Sequence, residues 1–158
     1  ALVKSGLLPY GEFDQLTNAS PTLFYNDANQ HVAKMVETKI VNTNSPWLSK
    51  VSVGDIHAIP MSHGEGKFVV TPEMFDELNK NGQIVTQYVD FNGNATMDSA
   101  YNPNGSVGAI EGIISKNGQI LGKMGHSERY ESGLFKNIPG NKDQKLFESA
   151  VAYFKAKA

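Results

Sequence analysis

The sequence contains no cysteine, and this absence is the first limit on its chemistry. Without a thiol, the chain cannot form a disulfide, build a thiolate metal site or use a cysteine as its nucleophile. The chain also lacks a large excess of charge of either sign. It has 14 Lys and Arg and 16 Asp and Glu, a formal net charge of -2, and no dense basic cluster. A surface that binds nucleic acid by releasing counterions from phosphates is therefore not expected.

Long hydrophobic runs are absent too. No apolar stretch approaches the roughly 20 residues of a membrane-spanning helix, and the opening "ALVKSGLLPYG" lacks the charged start and cleavage pattern of a signal peptide. These features predict a soluble, cytoplasmic protein without a membrane partner. The 158 residues contain no internal repeat and no linker, so a single domain over residues 1–158 is expected.

The first half of the chain is expected to hold short strands. "ALVKSGLLP" predicts the last turn of a helix, which Gly6 caps and Pro9 ends. Between Leu23 and Trp47, two apolar bursts separated by "NDANQ" predict strands joined by a turn. The alternation in "VGDIHAIPMSHGEGKFVV" then predicts a strand, a tight loop and a second strand.

The middle of the chain predicts a capped helix followed by a strand. Thr71 supplies an N-cap oxygen and Pro72 suits the first helical position, so a helix should run from Pro72 to about Asn79. "QIVTQYVD", residues 83–90, is rich in β-branched and aromatic side chains and predicts a strand. Residues 91–106 contain too many Asn, Gly and Pro for regular structure.

The last third predicts a β-hairpin and a helix. Two apolar runs flank Asn117-Gly118, a pair preferred in type I′ turns because both residues tolerate positive φ. The second strand of this hairpin should point at His126. In "NKDQKLFESAVAYFKAKA", apolar residues at helical spacing predict an amphipathic C-terminal helix that packs on the sheet: Leu146, Phe147, Ala150, Val151 and Phe154.

His126 and Glu128 stand two positions apart, directly after that predicted strand. On an extended segment such residues project to one side about 6.6 Å apart, so the carboxylate can fold back to accept a hydrogen bond from the imidazole. The other ring nitrogen is then left as a general acid or base. By spacing alone, however, a solvated histidine is the commoner outcome of such a triplet and catalysis the rarer one.

Three other polar clusters carry weaker signals. "SHGEGKF", residues 62–68, places two glycines beside a strand, which suits close approach of a ligand, but it lacks the spacing of a phosphate loop. A metal site on His57, His63 and Glu65 fits no standard ligand spacing, so a structural turn is favoured. "YNPNGS", residues 101–106, is a substrate loop or a turn, and its residue types favour the turn.

Five segments, taken in order, carry a resemblance to a known family: "SPWLSKV", "IPMSHGEGKFV", "QIVTQYVD", "YNPNGSVGAIEGI" and "NGQILGKMGHSER". They resemble the C-terminal glutaminase region of the large, single-chain form of phosphoribosylformylglycinamidine synthase, and the match covers nearly the whole chain. The resemblance implies the C-terminal part of a flavodoxin-like α/β fold of class I glutamine amidotransferases. We therefore expect a mixed sheet with β-hairpins and a C-terminal helix.

The resemblance also implies site residues. The family uses a Cys-His-Glu triad, whose histidine and glutamate correspond to His126 and Glu128. Many relatives carry a proline between the two where this chain has Ser127, which alters the rigidity of the backbone there. The main chain around Ser62 and His63 corresponds to the strand that holds glutamine in related amidotransferases. No metal ligand is implied.

The family's nucleophilic cysteine lies in a G-x-C-N-G-x-Q elbow, and "ALVKSGLLP" resembles the sequence that follows it. The chain is therefore expected to begin just past the nucleophile and to be inactive alone. Loss of the early strands should leave a parallel sheet with an open edge and an uncovered apolar face, which predicts self-association.

The partners follow from the same resemblance. Ammonia released from L-glutamine is expected to pass to a synthetase region of the same polypeptide, which uses ATP and Mg²⁺ to convert formylglycinamide ribonucleotide to its amidine. No cofactor is expected in the present chain. The alternative from another class is a non-catalytic docking or binding module that keeps an amidotransferase shape.

Overall fold

A computed structural model describes residues 1–157, which form an α/β fold of seven strands and two α-helices. Short 3-10 turns lie at Pro46–Leu48, Val107–Ala109 and Ser127–Arg129. The main elements are β1 (Thr22–Phe24), β2 (Val32–Ile40), β3 (Ile56–His63), β4 (Lys67–Val69), α1 (Pro72–Lys80), β5 (Ile84–Tyr88), β6 (Ile110–Ile114), β7 (Leu121–Lys123) and α2 (Leu146–Lys155). The expected α/β fold with strand pairs and a C-terminal helix is confirmed.

Five strands form the main sheet in the order β3-β2-β5-β6-β7, while β1 and β4 make a separate two-stranded sheet. Every pair of named strands is antiparallel, so the parallel sheet assumed in the self-association argument is not found among the described residues. Parallel neighbours need long crossover connections. Here a short turn joins β6 and β7, and a loop that contains one 3-10 turn joins β2 and β3. Both connections suit antiparallel neighbours.

Strands predicted as neighbours in sequence are not always neighbours in the sheets. The two apolar bursts around "NDANQ" form β1 and β2, but β1 pairs with β4 and β2 pairs with β3 and β5. The strand, loop and strand predicted around Gly64 and Gly66 are confirmed as β3 and β4, which belong to different sheets. Local sequence thus located the strands but not their partners.

The predicted helix is confirmed as α1. Its N-cap Thr71 accepts a hydrogen bond from the Met74 N–H at 3.2 Å, and Pro72 occupies the first turn, where its missing N–H leaves no intrahelical bond unmade. The helix ends at Lys80, one residue beyond the predicted end. At the N-terminus, residues 2–10 form turns, with α-type bonds from Ser5 N to Ala1 O at 3.0 Å and from Gly11 N to Leu7 O at 3.1 Å.

The predicted hairpin is present, but its turn differs from type I′. Gly118 has φ +72° whereas Asn117 is not among the residues with positive φ, and the Gly118 N–H donates to Ser115 O at 2.8 Å. This pattern matches a turn that ends in a left-handed glycine. A side chain at position 118 would lie 2.3 Å from the Asn44 carbonyl oxygen, so packing and φ both require glycine.

Apolar residues cover both faces of the sheet, because successive residues of a strand point to opposite sides. Ile84 of β5 packs with Leu78 of α1 and with residues of the N-terminal segment. Its neighbour Val85 packs with Leu48 and with Leu146 of α2 on the other face. The sheet therefore lies between α1 with the N-terminal turns on one side and α2 with a 3-10 turn on the other.

The buried face of α2 differs from the prediction. Leu146 and Ala150 are buried as expected, together with Ser149, but Phe147, Val151 and Phe154 are exposed. The helix packs on the 3-10 turn at Pro46–Leu48, where the Ser149 hydroxyl accepts the Lys50 N–H at 3.1 Å. This polar anchor fixes the rotation of the helix and leaves an apolar stripe in solvent. No helix in residues 1–157 has the length and apolar character needed to cross a membrane.

Candidate functional site

The segment that carries His126 closes a gap between the two edge strands of the main sheet. It follows β7, yet the His126 N–H donates to the Pro60 carbonyl of β3, the opposite edge, at 2.8 Å. The Met124 N–H donates to the Glu111 carbonyl of β6 at 3.1 Å. The sheet is thus curled, and residues 124–126 bridge its edges.

His126 and Glu128 form a hydrogen-bonded dyad at this bridge. Nδ1 of His126 lies 2.6 Å from Oε1 of Glu128. The main chain enters a 3-10 turn at Ser127, which folds Glu128 back toward the imidazole. With Nδ1 held by the carboxylate, Nε2 is the ring nitrogen left for proton transfer. The predicted contact between these two residues is therefore present.

The electrostatic surroundings keep Glu128 ionised. Partial burial raises the pKa of this carboxyl, but a backbone hydrogen bond, the contact with His126 and the charge of Arg129 outweigh it, and the net pKa is lowered. Arg129 Nε lies 3.8 Å from Oε1. An ionised partner stabilises an imidazolium, which a general acid and base must form during a reaction.

A pocket of about 330 Å³ opens beside the dyad. His126 and Glu128 line it together with the N-terminal segment, the 3-10 turn before β3 and the start of α2, through Leu2, Trp47, Leu146 and Phe147. Its walls are mostly apolar, with the dyad as the main acid–base group. Such a combination is typical of a ligand site.

Ser62 and His63 lie at the end of β3, two and three residues beyond the Pro60 carbonyl that accepts the His126 N–H. The Ser62 hydroxyl is 2.9 Å from His31 Nε2, and His63 Nδ1 is 3.3 Å from Asn26 Oδ1. Burial lowers the pKa of His63, and the nearby His126 and His31 lower it further. Nε2 of His63 is buried without a hydrogen-bond partner among residues 1–157.

The structure does not place all predicted site residues in one cavity. Within the described residues, neither Ser62 nor His63 lines the pocket beside the dyad. The residues of the alternative metal site also differ in burial: His57 is fully buried, whereas Glu65 is exposed. No group of three or more His, Cys, Asp or Glu residues in 1–157 is arranged to hold a metal ion.

The "YNPNGS" loop supports the "SHGEG" loop. Asn104 Nδ2 donates to the Gly66 carbonyl at 2.8 Å, and Ser106 Oγ accepts the Phe68 N–H at 3.0 Å. Asn102, Asn104 and Ser106 are all buried. Buried polar groups must be paired, and here they pair with the backbone of the neighbouring loop. The prediction of a turn cluster is confirmed.

Sequence reasoning overlooked two charged residues beside the dyad, Glu111 and Lys123. They form an ion pair of 3.2 Å, with the Glu111 side chain wholly buried and that of Lys123 10% exposed. The signal was visible in "AIEGII", where a carboxylate interrupts an apolar strand. A charge in such a run needs a partner, but the sequence does not say which one.

The strand order and the dyad define an α/β protein with an acid–base pair where its curled sheet closes. Residues 1–154 match the model of the CobB/CobQ-like glutamine amidotransferase domain, and the chain belongs to this family. The solved structure of PurLQS from Thermotoga maritima resembles it with a TM-score of 0.62 at 25% identity, over 89% of this chain and 55% of that one.

Curated relatives point the same way. The phosphoribosylformylglycinamidine synthase subunit PurQ of Chlorobaculum tepidum is 34% identical over 83% of this chain and 54% of its own length. The subunits of the same name from Chlorobaculum parvum and Gloeobacter violaceus are each 33% identical over 96% of this chain, and over 54% and 58% of their own lengths. The chain thus spans about half the length of the curated relatives it matches.

Proposed function

We propose that residues 1–158 are one partial glutamine amidotransferase domain, which supplies the histidine and glutamate of the glutaminase of phosphoribosylformylglycinamidine synthase, an enzyme of purine biosynthesis. The names of the curated relatives and the family match support the assignment. The 2.6 Å contact between His126 Nδ1 and Glu128 Oε1 carries it, because this contact leaves one imidazole nitrogen ready to move a proton.

In this proposal, a cysteine outside the present sequence attacks the side-chain amide of glutamine. His126 gives a proton to the departing ammonia, and then takes one from the water that hydrolyses the thioester. Glu128 keeps the imidazole in one tautomer and stabilises its charged form. The dyad supplies the fixed imidazole and the carboxylate partner that these two roles require.

The chain alone should lack glutaminase activity because it contains no cysteine to form the thioester. The measurement is ammonia release from glutamine by the purified protein, with His126→Ala as the matched control. Equal background rates for the two proteins are expected. A rate above that control would show that another nucleophile is at work and would contradict the proposal.

Ser62 and His63 are proposed to contact glutamine. The main chain at the end of β3 is the part expected to hold glutamine, and His63 Nε2, buried without a protein partner among residues 1–157, lies beside it. Glutamine titrated into the isotopically labelled chain should shift the amide signals of residues 62–63 and the ring signals of His126. His63→Phe replaces the side chain beside that main chain and should weaken the first set of shifts, whereas Val53→Ser, at an exposed position before the start of β3, serves as the control. Unchanged shifts and affinity in His63→Phe would remove this residue from the site.

The rest of the enzyme belongs to the same proposal. We infer that L-glutamine is the substrate, and that ammonia passes to a synthetase region of the same, large-form polypeptide that uses ATP and Mg²⁺. The full reading frame upstream of Ala1 tests this. A G-x-C-N-G-x-Q elbow in that frame, after a synthetase region, is the expected result. An elbow without cysteine would favour the non-catalytic docking module, and a separate short gene would favour a subunit that binds its synthetase in trans.

A further inference from the structure

The buried pair Glu111 and Lys123 lies beneath the segment that carries the dyad. Glu111 belongs to β6 and Lys123 ends β7, two neighbouring strands whose pairing sets Gly112 opposite Lys123. Their charges are 3.2 Å apart. Burying two charges costs more than the pair regains unless further hydrogen bonds use the remaining atoms, so the other partners of these side chains reveal what the pair holds.

Glu111 binds the backbone immediately before His126. Its Oε1 accepts the N–H groups of Met124 at 3.1 Å and of Gly125 at 2.6 Å, and its Oε2 accepts the Thr86 hydroxyl. A side chain at position 125 would lie 3.0 Å from Oε1 and 2.1 Å from Ile59 Cδ1. Glycine there allows this close approach. The carboxylate shares the Met124 N–H with the Glu111 carbonyl of β6 and accepts the Gly125 N–H by itself.

Lys123 binds the backbone and side chain on either side of His126. Its ammonium donates to the Gly125 carbonyl at 2.9 Å and to the Ser127 hydroxyl at 3.0 Å. Its third neighbour is the Glu111 carboxylate, 3.2 Å away as an ion pair. The mostly buried ammonium thus lies among three oxygen atoms, which restrict its position.

Ser127 extends the network across the sheet. Its hydroxyl donates to Gln144 Oε1, and Gln144 Nε2 donates to the Thr38 hydroxyl of β2 at 3.2 Å. Gln144 and Thr38 are both buried. A proline at position 127 would fix φ but would offer no hydroxyl, so hydrogen bonds here supply the restraint that a proline ring would give.

We propose that Glu111 and Lys123 are positioning residues that hold the His126 and Glu128 dyad in register through Gly125 and Ser127. This role for the pair rests on the proposed function, because the dyad acts in the proposed glutaminase reaction. The orientation of the His126 imidazole is measured without glutamine turnover, so failure of this proposal can be distinguished from failure of the glutaminase assignment.

The test is the tautomer of His126 in the labelled chain, read from its ring nitrogen resonances at a pH where the imidazole is neutral. In the wild type, Glu128 should hold the Nδ1–H form. In Glu111→Gln, the side chain loses the charge that pairs with Lys123 and offers a weaker, neutral acceptor to the two backbone N–H groups. His126 should then shift toward the Nε2–H form that free imidazole prefers, and the Gly125 amide should exchange about tenfold faster or more.

Leu78→Ala is the matched control, because it opens a cavity under α1 and lies away from the dyad segment. It should lower stability while leaving the His126 tautomer unchanged. If Glu111→Gln does not fold, Ser127→Ala decides: it removes only the link between Lys123 and Gln144 and should produce a smaller shift of the same sign. A folded variant of either kind with the wild-type tautomer and unchanged Gly125 exchange would overturn the proposal.

Discussion

The ammonium of Lys123 lies 3.2 Å from the carboxylate of Glu111, and the Glu111 side chain is wholly buried. Removing one partner of such a pair leaves the other charge without compensation. Lys123→Met should therefore lower the free energy of unfolding by about 3–5 kcal/mol, measured by urea denaturation.

The double variant Glu111→Gln with Lys123→Met provides the control for that prediction. Since it removes both charges, its loss should be smaller than the sum of the two single losses. Strictly additive losses would show that the two side chains stabilise the fold independently of each other, contrary to the geometry.

Glu128 should titrate below the ordinary pKa of a glutamate. Burial opposes this shift, but hydrogen bonding to the backbone and to His126 and the charges of His126 and Arg129 prevail. Carboxyl carbon resonances followed through acid titration should give a lowered midpoint in the wild type and a higher one in His126→Ala. Because the folded-state pKa is lowered, the small stabilisation from Glu128 is present above its unfolded-state pKa and is lost as the pH falls through the folded-state value. Identical midpoints in both proteins would contradict the contribution of the dyad.

His57 should make the protein acid-sensitive. Burial lowers its pKa, and the charge of Lys123 adds to the effect while Asp55 and Asp143 oppose it. Its Nδ1 is buried without a partner in residues 1–157. The unfolded chain binds a proton below about pH 6.5 whereas the folded one does not, so the free energy of unfolding should fall as the pH drops below that value, until the folded-state pKa is reached.

The variant His57→Leu separates this histidine from the others. It keeps a side chain of similar size without a titrating group, so urea denaturation over a pH series should give a shallower loss of stability on acidification than in the wild type. His31→Leu, at an exposed position, is the comparison. An unchanged slope in His57→Leu would assign the acid sensitivity to other groups.

The parts of the fold that local chemistry dictates could be predicted from sequence. Thr71 and Pro72 located the start of α1 because a cap and a first-turn proline depend only on nearby backbone. Gly118 located the turn between β6 and β7, although not its type; nothing in the sequence indicated that the Asn44 carbonyl of a distant loop leaves no room for a side chain at position 118. The pairing of strands could not be predicted for the same reason. β1 and β4 meet through tertiary packing, which the alternation of apolar and polar residues does not encode.

The same difference between local and long-range contacts applies to the site. His126 and Glu128 could be paired from their spacing, because a single 3-10 turn brings them together. Glu111 and Gln144 could not be placed, since their contacts with the dyad segment join residues that are 14 and 17 positions apart in sequence. The exposed side of α2 escaped prediction as well, because Ser149 rather than a larger apolar residue anchors the helix.

The orientation of α2 predicts an unequal cost for two adjacent substitutions. Leu146 is 7% exposed and belongs to a core cluster, whereas Phe147 is 61% exposed. Leu146→Ala should cost about 2–5 kcal/mol, and Phe147→Ala less than about 1 kcal/mol, by urea denaturation. A larger loss for Phe147→Ala would mean that the helix is rotated relative to the structure.

Self-association of this chain should proceed through the outer face of α2 rather than through the β3 edge. That edge is occupied, since the Ala58 N–H donates to the Asn141 carbonyl at 2.7 Å and the Pro60 carbonyl accepts from His126. The face of α2 is instead an apolar stripe in solvent, formed by Phe147, Val151 and Phe154, and such stripes favour association. Sedimentation velocity at micromolar concentration should show dimers or larger species that Phe147→Ser with Val151→Ser converts to monomer. Phe91→Ser, at a more exposed position on the loop after β5, should change nothing. A wild-type protein that sediments as a monomer throughout would refute the prediction.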